Sequence, residues 1–82
     1  MSYGLLILPG ATRQLAALPP DLYTEVRDRI RTLAVDPLPA ESRSIEGRNG
    51  WRLQIGDFRV IYEVDRPAAR VTVLDVSRRS DV

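Results

Sequence analysis

Cysteine, histidine and lysine are all missing from the 82 residues. Without cysteine there can be no disulfide framework and no thiolate metal site. Without histidine a zinc site would need carboxylates alone, a poor match for that ion. Neither a metal nor a small-molecule cofactor is therefore expected. No apolar stretch reaches the 18 or so residues that a membrane-spanning helix requires. The opening Met1-Ser2-Tyr3-Gly4 lacks a charged segment followed by an apolar one, so a cytoplasmic location is expected and no membrane partner. A chain this short reads as one domain over residues 1–82. It buries only about 60–65% of the surface its unfolded form exposes. Of the usual aids to a small fold, a protein partner is the one left open.

What is present is arginine. All twelve basic residues are arginines, and they are unevenly placed against eleven acids. Residues 1–46 sum to −1, residues 47–82 to +2, and the whole chain to +1. Each of these cations is a planar fork suited to phosphate or carboxylate, and none loses its proton near neutral pH.

The apolar pattern places the elements. Tyr3 to Leu8 is a short apolar run ended by Pro9-Gly10, which favours a strand. Thr12 is expected to cap a short helix whose inner face is Leu15 and Leu18, stopped by Pro19-Pro20. A second helix opens at Pro20 or Asp21. Leu22, Val26, Ile30 and Leu33 recur on one face of it, and Glu25 and Arg29 stand four apart in the favourable order. Arg27, Arg29 and Arg31 are expected to face solvent. Asp36-Pro37 closes the αα-hairpin. Residues 38–49 read as a connecting loop anchored by Ile45. Trp51, Leu53 and Ile55 then alternate with Arg52 and Gln54, as on a strand with one buried face. Gly56-Asp57, with glycine first, fits a type II′ hairpin. Phe58 to Val64 is β-branched and aromatic, as expected of a central strand, and Val71 to Val76 makes the last one. The expected class is α+β in the order β-α-α-β-β-β, an antiparallel sheet with the αα-hairpin packed on one face. Trp51 and Tyr62 are expected in the core.

The run Trp51-Arg52-Leu53-Gln54-Ile55-Gly56-Asp57-Phe58-Arg59-Val60-Ile61-Tyr62 resembles the core signature of RelE/ParE-superfamily toxins. That signature is an aromatic-basic strand, a Gly-Asp hairpin, then aromatic-Arg-aliphatic-aliphatic-Tyr. The closing Val76-Ser77-Arg78-Arg79, and the Leu-Pro-Pro and Asp36-Pro37 of the helical half, are similar to the same family over nearly the whole chain. The resemblance implies a toxin of a type II toxin–antitoxin system, and for the RelE branch a ribosome-dependent endoribonuclease. In that chemistry a ribose 2′-OH of the mRNA attacks the adjacent phosphate and leaves a cyclic phosphate. The catalytic roles it implies fall on Arg52, Arg59 and one of Arg78 and Arg79. Arg48, Arg52, Gln54 and Arg59 are the RNA-binding candidates. It further implies a ribosome and mRNA as partners, an acidic antitoxin from the same operon, and contact with DNA only through that antitoxin. Two departures stand out. Gln54 occupies a position that is commonly basic in the family's nucleases, and no tyrosine follows Tyr62.

The residues support that chemistry in outline. Fixed cations near the non-bridging oxygens lower the barrier to phosphoryl transfer. In a II′ hairpin Gln54 pairs with Arg59 and Arg52 with Ile61, so Arg52, Gln54 and Arg59 share a face. Arginine is a poor base, so a proton acceptor on the chain would be a carboxylate, with Glu63 as the candidate. The alternatives from the same resemblance are a ParE-like toxin that binds DNA gyrase without cutting nucleic acid, and a decayed toxin that only binds its antitoxin.

Overall fold

The computed structural model describes residues 2–45 and 49–78. Its elements in chain order are β1 (Gly4–Ile7), α1 (Pro9–Ala16), α2 (Pro20–Thr32), β2 (Arg43–Ile45), β3 (Gly50–Ile55), β4 (Phe58–Asp65) and β5 (Arg70–Arg78). The five strands form one sheet in the order β1-β5-β4-β3-β2. β2 to β5 are antiparallel neighbours, and β1 lies parallel to β5 at the far edge. The α+β class and the helical hairpin on one face are as the sequence implies. The 38–49 segment differs, because it contains the short edge strand β2.

Both helices begin on proline. Pro9 and Pro20 occupy the first helical turn, where a missing N–H costs nothing, and Leu8 and Pro19 before them are extended. α1 therefore starts four residues earlier than a Thr12 cap requires. In α2 the charges suit the helix dipole, with Asp21 in the first turn and Arg29 and Arg31 in the last. Arg29 bridges to Glu41 at 3.2 Å rather than to Glu25, tying the helix to the segment that leads into β2.

The core lies between the helices and one face of the sheet. Ala11, Leu15, Val26, Ile30 and Leu33 meet Leu53, Ile55, Val60, Tyr62, Val71, Val73 and Val76 there. Each fully buried branched side chain contributes about 1.5–3 kcal/mol relative to exposure. Trp51 packs at the margin and Tyr62 is fully buried, its hydroxyl donating to the Pro37 carbonyl at 2.8 Å. That bond holds the 37–42 segment on the sheet. Burial pushes the Tyr62 hydroxyl above the ordinary tyrosine pKa, although the Ser42 hydroxyl beside it works the other way. Among the described residues no helix is long and apolar enough to cross a membrane.

Two local features set which side chains face away from the core. Gly56 takes φ +59 in the β3–β4 turn while Asp57 stays at negative φ, as in a II′ hairpin. A register shift between Ile61 and Tyr62 makes a β-bulge, so that Ile61 pairs with Asp75 and Tyr62 with Val73. Leu74 is the extra residue. Val73 and Val76 are both buried, and Leu74 and Asp75 between them are not. From Asp75 onward the bulge reverses the alternation of β5.

Candidate functional site

The sheet face turned away from the helices carries Arg43, Arg52 and Arg59. The register pairs Gln54 with Arg59 and Arg59 with Ser77 in one row across β3, β4 and β5. The adjacent row is Arg43, Arg52, Ile61 and Asp75 across β2 to β5. Paired residues share a face, and diagonal neighbours stand about 7–8 Å apart, which places Arg52 and Arg59 within reach of one anion. Arg52 is exposed and forms no ion pair among the described residues. Arg59 is half-buried, and its Nε is buried without a hydrogen-bond partner. A desolvated guanidinium N–H without an acceptor is costly, and an anion seated on the face would supply the acceptor.

Gln54 lies on this face, and its amide donates to the Gly56 carbonyl of its own turn at 3.2 Å. Glu63 is on the same face but four residues along β4 from Arg59, about 13 Å at the strand rise. The fold does not bring it to Arg59. Arg78 is not brought there either. It pairs with Phe58, and its guanidinium lies over the Phe58 ring at 5.2 Å, at the end of the core face. The bulge is the reason: without the extra residue in β5, Arg78 would alternate onto the face of Arg59. Arg79 and Arg48 lie outside the described residues.

The sequence reading left out three residues of this face. Arg43 stands directly opposite Arg52. Ser77 stands opposite Arg59 and donates to Asp75 Oδ2 at 2.8 Å. The other oxygen, Asp75 Oδ1, accepts from Gln14 of α1 at 2.8 Å, and Gln14 Oε1 accepts the Val76 N–H at 2.9 Å. Gln14 thus satisfies the β5 edge just past the end of β1 and fixes the carboxylate beside the arginine row. A cleft of about 900 Å³ opens at the other end of β4, among Trp51, Glu63, Arg66 and Arg70, and includes neither Arg52 nor Arg59. Among the described residues no group of histidine, cysteine or carboxylates could hold a metal ion.

Residues 5–82 match the family model of the ParE toxin of type II toxin–antitoxin systems. The chain belongs to the RelE/ParE toxin family. The RelE1 protein of Methanocaldococcus jannaschii is 30% identical to it over 83 residues, which is 96% of this chain and 92% of the relative. The RelE of the archaeal RelE–RelB complex from Pyrococcus horikoshii superposes with a TM-score of 0.88 at 26% identity, covering all of both chains. The isolated Escherichia coli RelE toxin superposes with a TM-score of 0.83 at 15% identity, over 98% of this chain and 89% of that one. The resemblance carried by Gly56-Asp57-Phe58-Arg59 and its flanking strands is therefore a family relationship. The RelE/ParE fold in this chain presents Arg43, Arg52 and Arg59 on the sheet face that the helices leave open.

Proposed function

We propose that this toxin is a ribosome-dependent mRNA endonuclease whose phosphate clamp is Arg52 and Arg59. The observation that carries the reading is their diagonal placement on one open sheet face, with Arg59 Nε buried and unmatched. The mRNA 2′-oxygen attacks the adjacent phosphorus and the P–O5′ bond breaks. The 2′ proton passes to an acceptor, and the leaving 5′-oxygen takes one up. The two guanidinium groups hold the non-bridging oxygens, where charge builds up. Gln54 contributes a donor that cannot accept a proton usefully. Of the chain's carboxylates, Asp75 stands diagonal to Arg59 and is better placed than Glu63 to take the proton. Arg48 and Arg79 remain RNA-binding and catalytic candidates on the resemblance alone, and Arg78 lies on the other face, over Phe58.

An antitoxin is the expected partner, as in the RelB complexes of the Escherichia coli and Pyrococcus horikoshii toxins. An acidic segment folding over the arginine face would neutralise it and cover the clamp. DNA contact would come only through that antitoxin. A binding toxin directed at gyrase is the second reading. It is favoured by Gln54 and by the position of Arg78, both of which thin the catalytic set.

Translation and supercoiling assays run side by side separate the two. Codon-specific mRNA cleavage in a reconstituted translation reaction, lost in Arg59→Ala, is the outcome expected here. Gyrase inhibition with intact mRNA would replace this reading with the second, and neither effect would leave a protein that only binds its antitoxin.

A further inference from the structure

The geometry points to Arg43 as a second phosphate site, holding the RNA phosphate next to the one clamped by Arg52 and Arg59. This rests on the nuclease reading and extends it, because it sets the direction in which the RNA strand crosses the sheet, from β4 over β3 to β2.

Arg43 and Arg52 are direct cross-strand partners on adjacent antiparallel strands, and both are exposed. Like charges directly opposite each other destabilise a strand pair. Two arginines in register on an edge therefore work against β2, which is only three residues long. Nothing among the described residues offsets the repulsion through an ion pair. The nearest acid in sequence, Glu41, is taken by Arg29 at 3.2 Å. Asp75 ends the same row but lies on β5, with its two oxygens accepting from Gln14 and Ser77.

Arg43 also differs from a solvated surface arginine in being anchored. Its Nη1 donates to the Ala40 carbonyl at 3.1 Å and the Ser42 carbonyl at 2.9 Å. Those carbonyls belong to a segment that is itself fixed, by Ser42 Oγ on Pro39 O at 2.7 Å and by Tyr62 on Pro37 O. Two of the five guanidinium N–H groups are thus used to hold the side chain, and three remain. Most of the rotamer entropy that a phosphate contact would otherwise cost is already spent.

The spacing fits one strand of nucleic acid. Arg43 is about 5 Å from Arg52 across the ladder. It is two strands and one row from Arg59, about 12 Å at the usual sheet spacings. The Arg43 guanidinium is held at the β2 edge by its Nη1 bonds to the Ala40 and Ser42 carbonyls, so it is not free to swing across to the phosphate that Arg52 and Arg59 bridge. The third cation therefore meets a neighbouring phosphate of the same backbone.

The test is binding of a 2′-O-methylated hexaribonucleotide, which cannot be cleaved, to the whole chain by fluorescence anisotropy over a range of salt concentrations. Arg43→Ala is expected to weaken binding about 5- to 30-fold at low salt. It should also flatten the slope of log K against log salt by about 0.7, the value for one lost phosphate contact on a single strand. Arg43→Gln, which removes the charge and keeps an amide donor, should show the same loss in a protein that still melts cooperatively. A hexamer carrying one neutral methylphosphonate beside the central linkage should bind the wild type as weakly as the normal hexamer binds Arg43→Ala. That variant should be indifferent to the replacement. If Arg59→Ala weakens binding while both Arg43 variants keep the wild-type affinity and slope, the second site is refuted and the clamp stands. If the wild type binds the hexamer no better than Arg59→Ala does, the nuclease reading falls and the second site with it.

Discussion

Replacing Tyr62 with phenylalanine removes one oxygen atom from the centre of the domain and separates two consequences of its burial. The ring is fully buried and would stay so, leaving the apolar packing nearly unchanged. What is lost is the 2.8 Å hydrogen bond to the Pro37 carbonyl. A neutral hydrogen bond contributes about 0.5–1.5 kcal/mol net, and a carbonyl left unsatisfied raises the cost to about 1–3 kcal/mol. For a domain of this size each kcal/mol moves Tm by about 4–8 °C, so a fall of roughly 4–24 °C near neutral pH is expected. The second consequence concerns pH. Burial raises the native pKa of this hydroxyl above its unfolded value of about 10. Between those two values the native state binds more protons than the unfolded one, so unfolding free energy falls as pH rises. The stability linked to the group is complete below about pH 10 and is lost as pH climbs through the native pKa. Thermal melts of wild type and Tyr62→Phe at pH 7 and at pH 10.5 measure both effects. The gap between the proteins should narrow at the higher pH. A gap that widens, or a variant as stable as wild type at pH 7, would refute the assigned hydrogen bond and its buried setting.

Gln14→Ala should cost about 2–3 kcal/mol in chemical denaturation, because it strands the Val76 N–H and removes a donor from Asp75. It should also lower mRNA cleavage if Asp75 serves the clamp, whereas unchanged stability would contradict the edge-satisfying role given to the glutamine. Gly56→Ala should destabilise by about 1–2 kcal/mol through backbone strain alone, since φ is +59 and an added Cβ meets no atom within 4 Å. Arg78→Ala should cost under about 1 kcal/mol, the value of an exposed cation–π contact, and should leave cleavage at wild-type rate. A large loss of rate with an intact fold would instead place Arg78 in the reaction.

The parts of the molecule that were legible from sequence are those where local chemistry and tertiary packing agree. Trp51 to Ile55 alternates because one face is buried, and Gly56-Asp57 can hardly be anything but a tight hairpin, so the pairing of Gln54 with Arg59 followed at once. β2 was hidden because Arg43-Ser44-Ile45 has little strand character of its own. Its conformation comes from pairing with β3 and from the Tyr62 bond to the segment before it. Val71 to Val76 looks like uninterrupted alternation, and nothing local announces that Leu74 is an inserted residue. That one bulge decides two site assignments, turning Asp75 out of the core and Arg78 toward it. The start of α1 was masked by Pro9-Gly10, a pair that ends the strand and opens the helix together.

The central claim is that Arg59 acts directly on the reacting phosphate from the open face of the sheet. Single-turnover cleavage of mRNA on programmed ribosomes, wild type against Arg59→Ala at matched folded fraction, tests it most directly. The account predicts a rate loss of about 100-fold or more, the usual effect of removing one preorganised donor at a developing oxyanion, with cyclic phosphate ends in whatever product remains. Equal rates from the two proteins would contradict it.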